Sequence, residues 1–363
     1  MNKLQNELAV VVLFWNDFEK TIECLNSLFN QKKQKMSIVL VDNNSQKRYV
    51  KKIFEWLKKK NIKKFRVNTE KINQQNFNIN KICFYIKNKK NYGCGLGHNY
   101  GYKFCLKNNF RYIARIDNDM VVPELVMHNL IKRMNKNKNI FAISPKIMFY
   151  KKPNMVWFRG AEIGNNLKFQ KNCASYSAKG HKDDKSFRGL IDTDAIAGCA
   201  SIMRADKLGE TTLSDPDFFY GEEDTELSIR LKSNQKSLKV DLNQKIFHNV
   251  SSTVGKNWAK NIYYNYKYRL VLIKKIGTFY DKLFGYSIPA LKLLISFFLV
   301  FKTNHSSKIL QRYYALKHFF QKKYGSYDRI NYNKIDKFFH DINKKTKINQ
   351  IISKINNNYK FKN

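Results

Sequence analysis

Acidic residues are scarce in this sequence, which has 28 Asp and Glu against 68 Lys and Arg among its 363 residues. The formal net charge of +40 favours an acidic partner, either an anionic membrane surface or a nucleic acid. The sequence has no RNP, zinc-finger or helix-turn-helix motif, so we expect no nucleic-acid partner. Apolar residues make up 43% of the chain, which is enough for a packed core and excludes wholesale disorder.

Paired cysteines and a secretion signal are also missing. The six cysteines are scattered and form no Cys-x-x-Cys pair, which argues against a zinc module and a dense disulfide framework. We therefore expect mostly reduced core thiols. The apolar run 8–15 follows a single cation, Lys3, and no small-residue cleavage site comes after it, so we interpret it as a buried strand. These features predict a cytoplasmic protein.

The C-terminal part has no unbroken apolar run that is long enough to span a bilayer. Residues 256–363 carry 23 Lys and Arg against 4 Asp. The apolar run 283–301 is interrupted by Pro289 and Lys292, which favours attachment to an anionic membrane surface. A buried helix and a true span are the alternatives. We predict a first domain over 1–255 and a basic, mostly helical extension over 256–363 that associates with a membrane.

Short apolar runs alternate with segments of helical periodicity in the first domain. The predicted strands cover 8–15, 37–41, 82–86, 112–116 and 141–144, and the predicted helices cover 21–29, 48–60 and 125–134. The polar, Asn-rich connection before the third strand is expected to be a surface insertion. This alternation predicts an α/β fold with functional loops at the carboxyl ends of the strands.

Two acidic clusters contrast with the basic background. Asp117 and Asp119 follow a predicted strand, and residues 222–224 open a predicted helix. Because gathered carboxylates repel one another, such clusters indicate a cation or a reaction. Two aspartates beyond one strand end can share Mg²⁺ or Mn²⁺, which prefer oxygen ligands and also bind diphosphate. The alternatives are a solvated turn for the first cluster and a helix start stabilised by the macrodipole for the second.

Two further segments follow predicted strands. Asp42 closes the second strand, where it could accept a hydrogen bond from a ribose or a nucleotide base, or simply form a turn. Residues 91–101, NYGCGLGHNYG, have glycines that allow close approach of the backbone to a ligand, and the following helix start offers N–H groups to phosphate. A flexible turn is the alternative. The glycine spacing fits neither a Rossmann fingerprint nor a P-loop.

Seven segments occur in an order that resembles the family 2 glycosyltransferases of the GT-A fold, and in particular their bacterial rhamnosyltransferase-like branch. The segments are LAVVVLFWN, VDNNS, NYGCGLGHNYG, IDNDM, AGCASIMRAD, DPDFFYGEEDTELSIRL and IFHNVSST. The resemblance covers about residues 8–275. It implies a GT-A type α/β fold, a Rossmann-like mixed sheet flanked by helices, followed by the helical basic extension. It also implies transfer of a sugar from a nucleotide-diphospho-sugar to an acceptor hydroxyl, with inversion at the anomeric carbon.

The resemblance assigns roles to single residues. Asp117 and Asp119 would hold a divalent metal, Mn²⁺ or Mg²⁺, against the diphosphate, and His248 would be a further metal ligand or a structural residue. Asp224 would be the general base, with Glu223 as its catalytic neighbour. The donor-binding residues would be Trp15, Asn16, Asp42, Asn44, Asn91, Gly93, Gly97, Asn99 and Asn118.

The predicted chemistry needs two separate acidic groups. A cation on the diphosphate stabilises charge on the leaving oxygen, and another carboxylate removes the proton of the acceptor hydroxyl. We therefore expect a metal-dependent enzyme at the inner face of a bacterial cell membrane that acts on a lipid-linked, lipopolysaccharide or surface-polysaccharide acceptor. Arg269 and Leu270 stand where relatives often have Arg-Asn, so the sugar is left open.

Two alternatives belong to other functional classes. A sugar-phosphate nucleotidyltransferase would also use paired acids and a metal, but it would carry a Gly-rich loop after the first strand, where residues 14–20 have no glycine. The second alternative is a non-catalytic, polybasic protein that binds a membrane or a nucleic acid. The presence of all three aspartates, at 117, 119 and 224, argues against it.

Overall fold

The computed structural model describes residues 7–67, 82–164, 174–207, 213–250, 258–299 and 306–325. The described residues up to 250 form one compact unit, which we call the sheet unit, and those from 258 form a second, the helical unit. The predictions made for residues 68–81 lie outside the described residues, as does Cys173. The other five cysteines are free thiols, as expected.

The sheet unit alternates strands and helices in its first half and is richer in strands in its second. Its strands are β1 (Leu8–Phe14), β2 (Ser37–Asp42), β3 (Lys63–Val67), β4 (Ile82–Lys87), β5 (Tyr112–Asp117), β6 (Met120–Val121), β7 (Ile140–Phe149), β8 (Lys152–Phe158), β9 (Ala161–Ile163), β10 (Ala174–Tyr176), β11 (Leu190–Asp192), β12 (Ala200–Arg204) and β13 (Ser237–His248). Its helices are α1 (Glu19–Phe29), α2 (Lys47–Lys59), α3 (Cys94–Lys107), α4 (Val126–Lys136) and α5 (Glu223–Ser233), with a 3-10 turn at Ala205–Lys207.

One mixed sheet organises this unit. The strand order is β11-β13-β7-β12-β5-β1-β2-β4-β3, with β6 paired to β13 and β8 paired to β7. β1 is parallel to both β2 and β5, and its register places Phe14 beside Asp42 and Leu13 beside Asp117. The carboxyl ends of the parallel strands therefore meet at one edge, as the sequence predicts, and both aspartates lie there.

Helices cover both faces of the sheet. Buried side chains of α1, α2 and α4 pack with one set of strand residues, and those of α3 and α5 pack with the other set. On β5 the alternation places Ala114 and Ile116 against the first face, whereas Ile113 packs against the second. Arg115 and Asp117 share the side of Ile113 because strand side chains alternate. Arg115 and Asp117 therefore lie on the face of the sheet that α3 and α5 cover.

The strand β3 differs from the sequence prediction of a polar surface connection. It pairs in parallel with β4 and forms the edge of the sheet. Its sequence, KKFRV, is mostly exposed and carries three cations. A strand of this kind lacks the apolar alternation that sequence analysis depends on, because an edge strand buries little of its surface.

The helical unit contains α6 (Trp258–Ile276), α7 (Phe279–Leu299) and α8 (Ser306–Phe320). Pro289 lies inside α7. Several apolar side chains of α7 are exposed, at spacings that place them along one side of the helix; they are Phe279, Tyr280, Leu283, Leu291, Leu294 and Ile295. None of the helices within the described ranges combines the length and the hydrophobicity needed to traverse a bilayer.

Candidate functional site

Asp42, at the end of β2, is fully buried. Its Oδ1 accepts a hydrogen bond from the backbone N–H of Ser45 (2.7 Å), and its Oδ2 accepts one from the hydroxyl of Tyr85 (2.6 Å). In this conformation the carboxylate holds the turn after β2 and presents no exposed surface to a nucleotide. Tyr85 on β4 covers the carboxylate, and the contact of Asp42 with a nucleotide base stays a prediction.

The loop after β1 is joined to the turn after β2. The backbone N–H of Asn16 donates to Ser45 Oγ (3.1 Å), and Asn16 Oδ1 accepts from the N–H of Gln46 (2.8 Å). Trp15 has 42% exposure, and Asn44 is exposed with a left-handed φ of 65°. Among the predicted donor-site residues, Trp15 and Asn44 therefore face solvent at this edge.

Asn43 connects the turn after β2 to the glycine-rich segment. Its Nδ2 donates to Asn91 Oδ1 (2.9 Å) and to the carbonyl of Gly93 (2.9 Å), while its Oδ1 accepts from the N–H of Tyr92 (3.0 Å). Asn91 Oδ1 also accepts from the N–H of Gly93 (2.9 Å). Asn91 and Gly93 thus form the wall of this edge through their bonds to each other and to Asn43.

The glycines of the NYGCGLGHNYG segment bring protein elements together. Gly93 has a left-handed φ of 81°, and a Cβ there would lie 2.0 Å from the carbonyl oxygen of Phe219. That same oxygen accepts from the N–H of Cys94, the first residue of α3 (2.7 Å). A Cβ on Gly97 would lie 2.9 Å from the side chain of Leu13. The predicted close approach to a ligand is in this structure a close approach to the sheet and to the loop before α5.

Two predicted donor-site amides are engaged inside the protein. Asn99 is buried, its Nδ2 donates to the carbonyl of Ser214 (2.7 Å), and its Oδ1 accepts from the N–H of the same residue (3.0 Å). Asn118 Nδ2 donates to Thr21 Oγ1 on α1 (3.0 Å). Asn99 therefore fixes the loop before α5, and Asn118 fixes the turn after β5 to α1. Asn99 points from α3 towards Ser214, and Asn118 points from the turn towards α1, so both amides bond to the protein.

Asp119 and His248 come together because β6 pairs with the end of β13. The N–H of Asn249 donates to the carbonyl of Asp119 (2.9 Å), and His248 Nε2 lies 3.3 Å from Asp119 Oδ1. The Trp157 and His248 rings pack edge to face, with their centroids 4.6 Å apart. The buried His248 Nδ1 has no hydrogen-bond partner in the described structure. Of the predicted metal ligands, these two are in direct contact.

Arg115 is a buried cation behind the first acidic cluster. Its Nε lies 3.6 Å from Asp117 Oδ1, and its Nη2 donates to Glu223 Oε1 (3.2 Å) and to Cys94 Sγ (3.0 Å). His98 Nε2 lies 3.6 Å from the same Asp117 oxygen. One guanidinium therefore connects the aspartate that ends β5 with the first residue of α5.

Cys94, His98 and Asp117 have ligand atoms within 4.8 Å of one another, a geometry that could hold a metal ion. The guanidinium of Arg115 already contacts the thiol and the carboxylate, so a second cation there would be repelled. Burial also raises the pKa of the Cys94 thiol, which disfavours the thiolate that metals bind. A divalent ion fits better at Asp119 and His248, with Asp117 adjacent, since these supply oxygen and imidazole ligands.

Asp224, in the first turn of α5, packs against the backbone at Gly198. A Cβ on Gly198 would lie only 2.5 Å from Asp224 Oδ2. Asp224 Oδ1 accepts from the N–H of Thr225 (2.9 Å). Burial and the charge of Glu223 raise the pKa of Asp224 to about 6, against the opposing effect of Arg115. A carboxylate with such a pKa is ionised at neutral pH and is still basic enough to take up a proton.

The two acidic clusters meet at the dipeptide Gly198–Cys199. The carbonyl of Cys199 accepts a hydrogen bond from the N–H of Asp117 (2.9 Å), and Gly198 contacts Asp224. Burial raises the pKa of Asp117 to about 6, whereas Arg115 lowers it and the neighbouring Asp119 raises it. The structure therefore brings Asp117, Asp119 and Asp224, about a hundred residues apart in sequence, to one edge of the sheet.

Arg115 and Gly198 were not predicted from the sequence. A signal existed for Arg115, because YIARID places a cation within a run that otherwise reads as a buried strand. Gly198 gave a weaker signal as the one glycine in AGCAS, whose importance depends on a contact with residue 224 that one sequence does not reveal.

Comparison with known proteins agrees with this geometry. The family model "Glycosyl transferase family 2" matches residues 9–209. A structure of GalNAc-T7 with UDP, GalNAc and Mn²⁺ superposes with a TM-score of 0.56 at 15% identity, covering 88% of this chain and 57% of that one. A structure of S. aureus TarS 1-349 gives a TM-score of 0.47 at 14% identity, covering 87% of this chain and 80% of that one. No curated protein sequence matches.

The likeness to the GalNAc-T7 structure confirms the predicted fold, a mixed α/β sheet flanked by helices of the GT-A type. The chain spans 57% of the GalNAc-T7 structure, so the likeness concerns part of that protein. The family match extends from β1 to just beyond β12 and includes the Asp42, Asn91–Gly101 and Asp117–Asp119 segments. Because it covers more than half of the sequence, this chain belongs to glycosyl transferase family 2.

Proposed function

We propose that this family 2 glycosyltransferase moves a sugar from a nucleotide-diphospho-sugar to an acceptor hydroxyl with inversion, using a divalent metal and Asp224 as general base. One observation carries the proposal: Gly198–Cys199 joins the Asp117 cluster to Asp224 at one edge of the sheet. Inversion needs a base on the face of the sugar opposite to the leaving diphosphate. Two acidic groups held apart by one short backbone segment fit that requirement.

The donor side of the site is Asp119 with His248, and Asp117 lies behind them. A divalent ion bound by these groups would stabilise the charge on the leaving diphosphate. The Mn²⁺ and UDP in the GalNAc-T7 structure are in keeping with this assignment, although they belong to that protein. The exposed Trp15 and Asn44 would contact the nucleotide, while Asn91, Gly93 and Asn43 keep the wall of the pocket in place.

The acceptor side of the site is Asp224. Its carboxylate would accept the proton from the acceptor hydroxyl oxygen as that oxygen bonds to the anomeric carbon, a role usually worth about 10²–10⁴-fold in rate. Glu223 Oε1 accepts a hydrogen bond from Arg115, and its buried Oε2 has no hydrogen-bond partner in the described structure. Through Arg115, Glu223 would hold the start of α5 in place beside Asp224, and the catalytic role predicted for it stays a prediction.

We further propose that the acceptor is lipid-linked, as in lipopolysaccharide or surface-polysaccharide synthesis of the rhamnosyltransferase-like branch, and that the chain works at the cytoplasmic face of a membrane. Exposed apolar side chains along α7, such as Phe279, Leu283 and Leu291, support this. The helical unit is also rich in cations, which attract anionic headgroups.

A donor screen tests the proposal directly. Purified protein would be incubated with UDP-, dTDP- and GDP-sugars, with Mn²⁺ or with EDTA, and release of nucleoside diphosphate would be measured. We expect turnover with at least one donor, loss in EDTA, and loss in Asp224→Asn and Asp119→Ala. Asp192→Asn on β11, whose side chain is 79% exposed, is the matched control and should keep full activity. Metal-independent turnover, or activity in Asp224→Asn equal to the wild type, would refute the mechanism.

A further inference from the structure

A groove-shaped cavity of about 1000 Å³ lies between α2 and the strands β3 and β4. It opens on the face of the sheet that α1, α2 and α4 cover, since Ile53, Leu57 and Tyr85 pack there. Arg115 and Asp117 share the opposite face with Ile113. The cavity is therefore separate from the acidic site, and no role proposed above uses it.

The cavity has a cationic rim and an apolar floor. Seven cations line it, namely Lys47, Lys51, Lys58, Lys64, Arg66, Lys87 and Lys89. The apolar lining consists of Val50, Phe54, Leu57, Ile62 and Val67, with Tyr85 beside them. Glu55 is the single acidic side chain in the lining. Nearly half of the fifteen lining residues are cations, well above the cation content of this already basic chain.

Five of the rim cations form no salt bridge with an acidic side chain in the described structure, namely Lys47, Lys58, Lys64, Arg66 and Lys87. The ion pair Lys51–Glu55, at 3.9 Å, involves the one acid in the lining. Lys64 Nζ lies 3.3 Å from the centroid of the Phe54 ring, and the Arg66 guanidinium lies 5.5 Å from the same ring. Burial and the nearby Arg66 lower the pKa of Lys64. Clustered cations repel one another, which costs free energy, and an anion bound among them would reduce this repulsion.

We propose that this groove binds a phosphate ester that carries an apolar body, with the phosphate at the cationic rim and the apolar body on the floor around Val50 and Phe54. The rim supplies charge for phosphate, which Lys and Arg bind through charge-assisted hydrogen bonds. The floor adds a contribution that inorganic phosphate lacks, because it removes apolar surface from water. A lipid phosphate and a nucleoside phosphate both have this chemistry.

A ligand bound in the groove would affect the end of β2, where the donor nucleotide is proposed to bind. Tyr85 and Ser45 line the groove, and they are the two residues that hold the Asp42 carboxylate at the end of β2. A ligand that moves either residue would shift the turn carrying Asn44. The site would thus be a second anion site beside the active site, and its existence does not depend on the proposed transferase activity.

Titration calorimetry on the full chain without donor tests the proposal, with three probes: dihexanoylphosphatidic acid below its micelle concentration, uridine monophosphate and inorganic phosphate. We expect an ester to bind more tightly than inorganic phosphate, and the tighter ester identifies the source. The variant Lys47→Gln/Lys58→Gln/Arg66→Gln should weaken ester binding about tenfold. The control Lys103→Gln/Lys107→Gln/Lys132→Gln removes three exposed cations of α3 and α4, outside the groove, and should leave affinity unchanged within about twofold.

A variant in the apolar floor distinguishes a specific binding site from nonspecific attraction of anions to a basic protein. Val50→Gln should weaken the ester and leave inorganic phosphate unaffected, because it changes the apolar contact alone. Equal loss of affinity in the rim variant and the α3 and α4 control would overturn the proposal. So would ester binding no tighter than inorganic phosphate, or a rim variant that binds like the wild type.

Discussion

The sheet unit and the helical unit each bury a basic side chain, Arg115 in the first and Lys267 in the second, and the hydrogen-bond partners of the two differ. In the sheet unit Arg115 lies among Asp117, Glu223 and Cys94, and its Nε still lacks a hydrogen bond. In the helical unit Lys267 is fully buried, and its Nζ donates to three backbone carbonyls beyond the end of α8, at 3.0 to 3.4 Å.

This difference distinguishes a charge in the proposed site from a basic side chain that holds a chain segment in place. The three carbonyls belong to Lys323, Tyr324 and Gly325, beyond the last residue of α8, so Lys267 fixes the segment that leaves the helix. Around Arg115 one oxygen of Asp117 and one of Glu223 are buried without hydrogen bonds. A buried charge alone therefore does not identify a site, whereas buried groups left unsatisfied beside an acidic cluster do.

Asp224→Asn should give the largest effect on activity. We expect a loss of about 10²–10⁴-fold in kcat, because the amide cannot accept the acceptor proton. Thermal stability should stay the same or rise, since the raised pKa means that ionised Asp224 is disfavoured in the folded state. Donor turnover and thermal melts measure the two effects. A variant that loses activity only by unfolding would contradict the assignment.

The wild-type pH profile provides a second test of Asp224. Its pKa is raised to about 6, and the base must be ionised to act, so kcat should fall as the pH drops through about 6. The profile should be recorded under saturating donor and metal, with thermal melts at each pH as the control for folding. Constant kcat down to pH 4.5 would show that this carboxyl is not the base.

Arg115→Met should cause the largest loss of stability. It leaves Asp117 and Glu223 as buried charges without their cation, which typically costs about 3–5 kcal/mol of the free energy of unfolding. Adding Glu223→Gln removes one of the stranded charges, so the double variant should recover part of the stability without recovering activity. Chemical denaturation and donor turnover on the single and double variants measure this. If stability and activity recover together, Arg115 has only a structural role.

Gly198→Ala should lower activity by about tenfold to a hundredfold. The added methyl would overlap the Asp224 carboxylate, and a small displacement of a catalytic group has an effect of this size. Gly325→Ala is the matched control, because a Cβ there meets no atom within 4 Å. Unchanged kcat in Gly198→Ala, with the control also unaffected, would show that this contact does not position the base.

Lys267→Met should have the smallest effect on activity, and its effect on stability should depend on pH. Burial lowers the pKa of Lys267 to about 7, so between pH 7 and its ordinary value the unfolded chain binds more protons than the folded one. Wild-type stability should therefore rise relative to Lys267→Met by up to about 1.4 kcal/mol per pH unit across that range. Denaturation at pH 7, 8 and 9 measures the difference. A constant difference would contradict the buried, neutral state.

The sequence predicts the fold well where burial leaves a pattern. β1, β2, β4 and β5 are apolar runs and lie close to their predicted positions. β3 was not predicted because its charged edge sequence lacks that pattern. The C-terminal strands of the unit are short or irregular, and β9 has only three residues, so their pairing depends on distant partners.

The positions of the predicted site residues can be compared with the structure, whereas their roles stay predictions. Asp119 lies beside His248, and Asp117 and Asp224 contact the two residues of Gly198–Cys199, an arrangement in keeping with the family resemblance. Asn99 and Gly97 were expected to face a donor but support protein contacts, because their direction on α3 follows from how that helix packs on the sheet. Sequence motifs therefore identify the residue types, and packing decides which of them face the ligand.

Anomalous diffraction from crystals grown with Mn²⁺ and a nucleoside diphosphate tests the central claim most directly. We predict one manganese peak at Asp119 and His248, with the diphosphate bound to it and the Asp224 carboxylate facing the same cavity from the other side of Gly198–Cys199. A peak at Cys94 and His98, or a diphosphate in a cavity that excludes Asp224, would contradict the account.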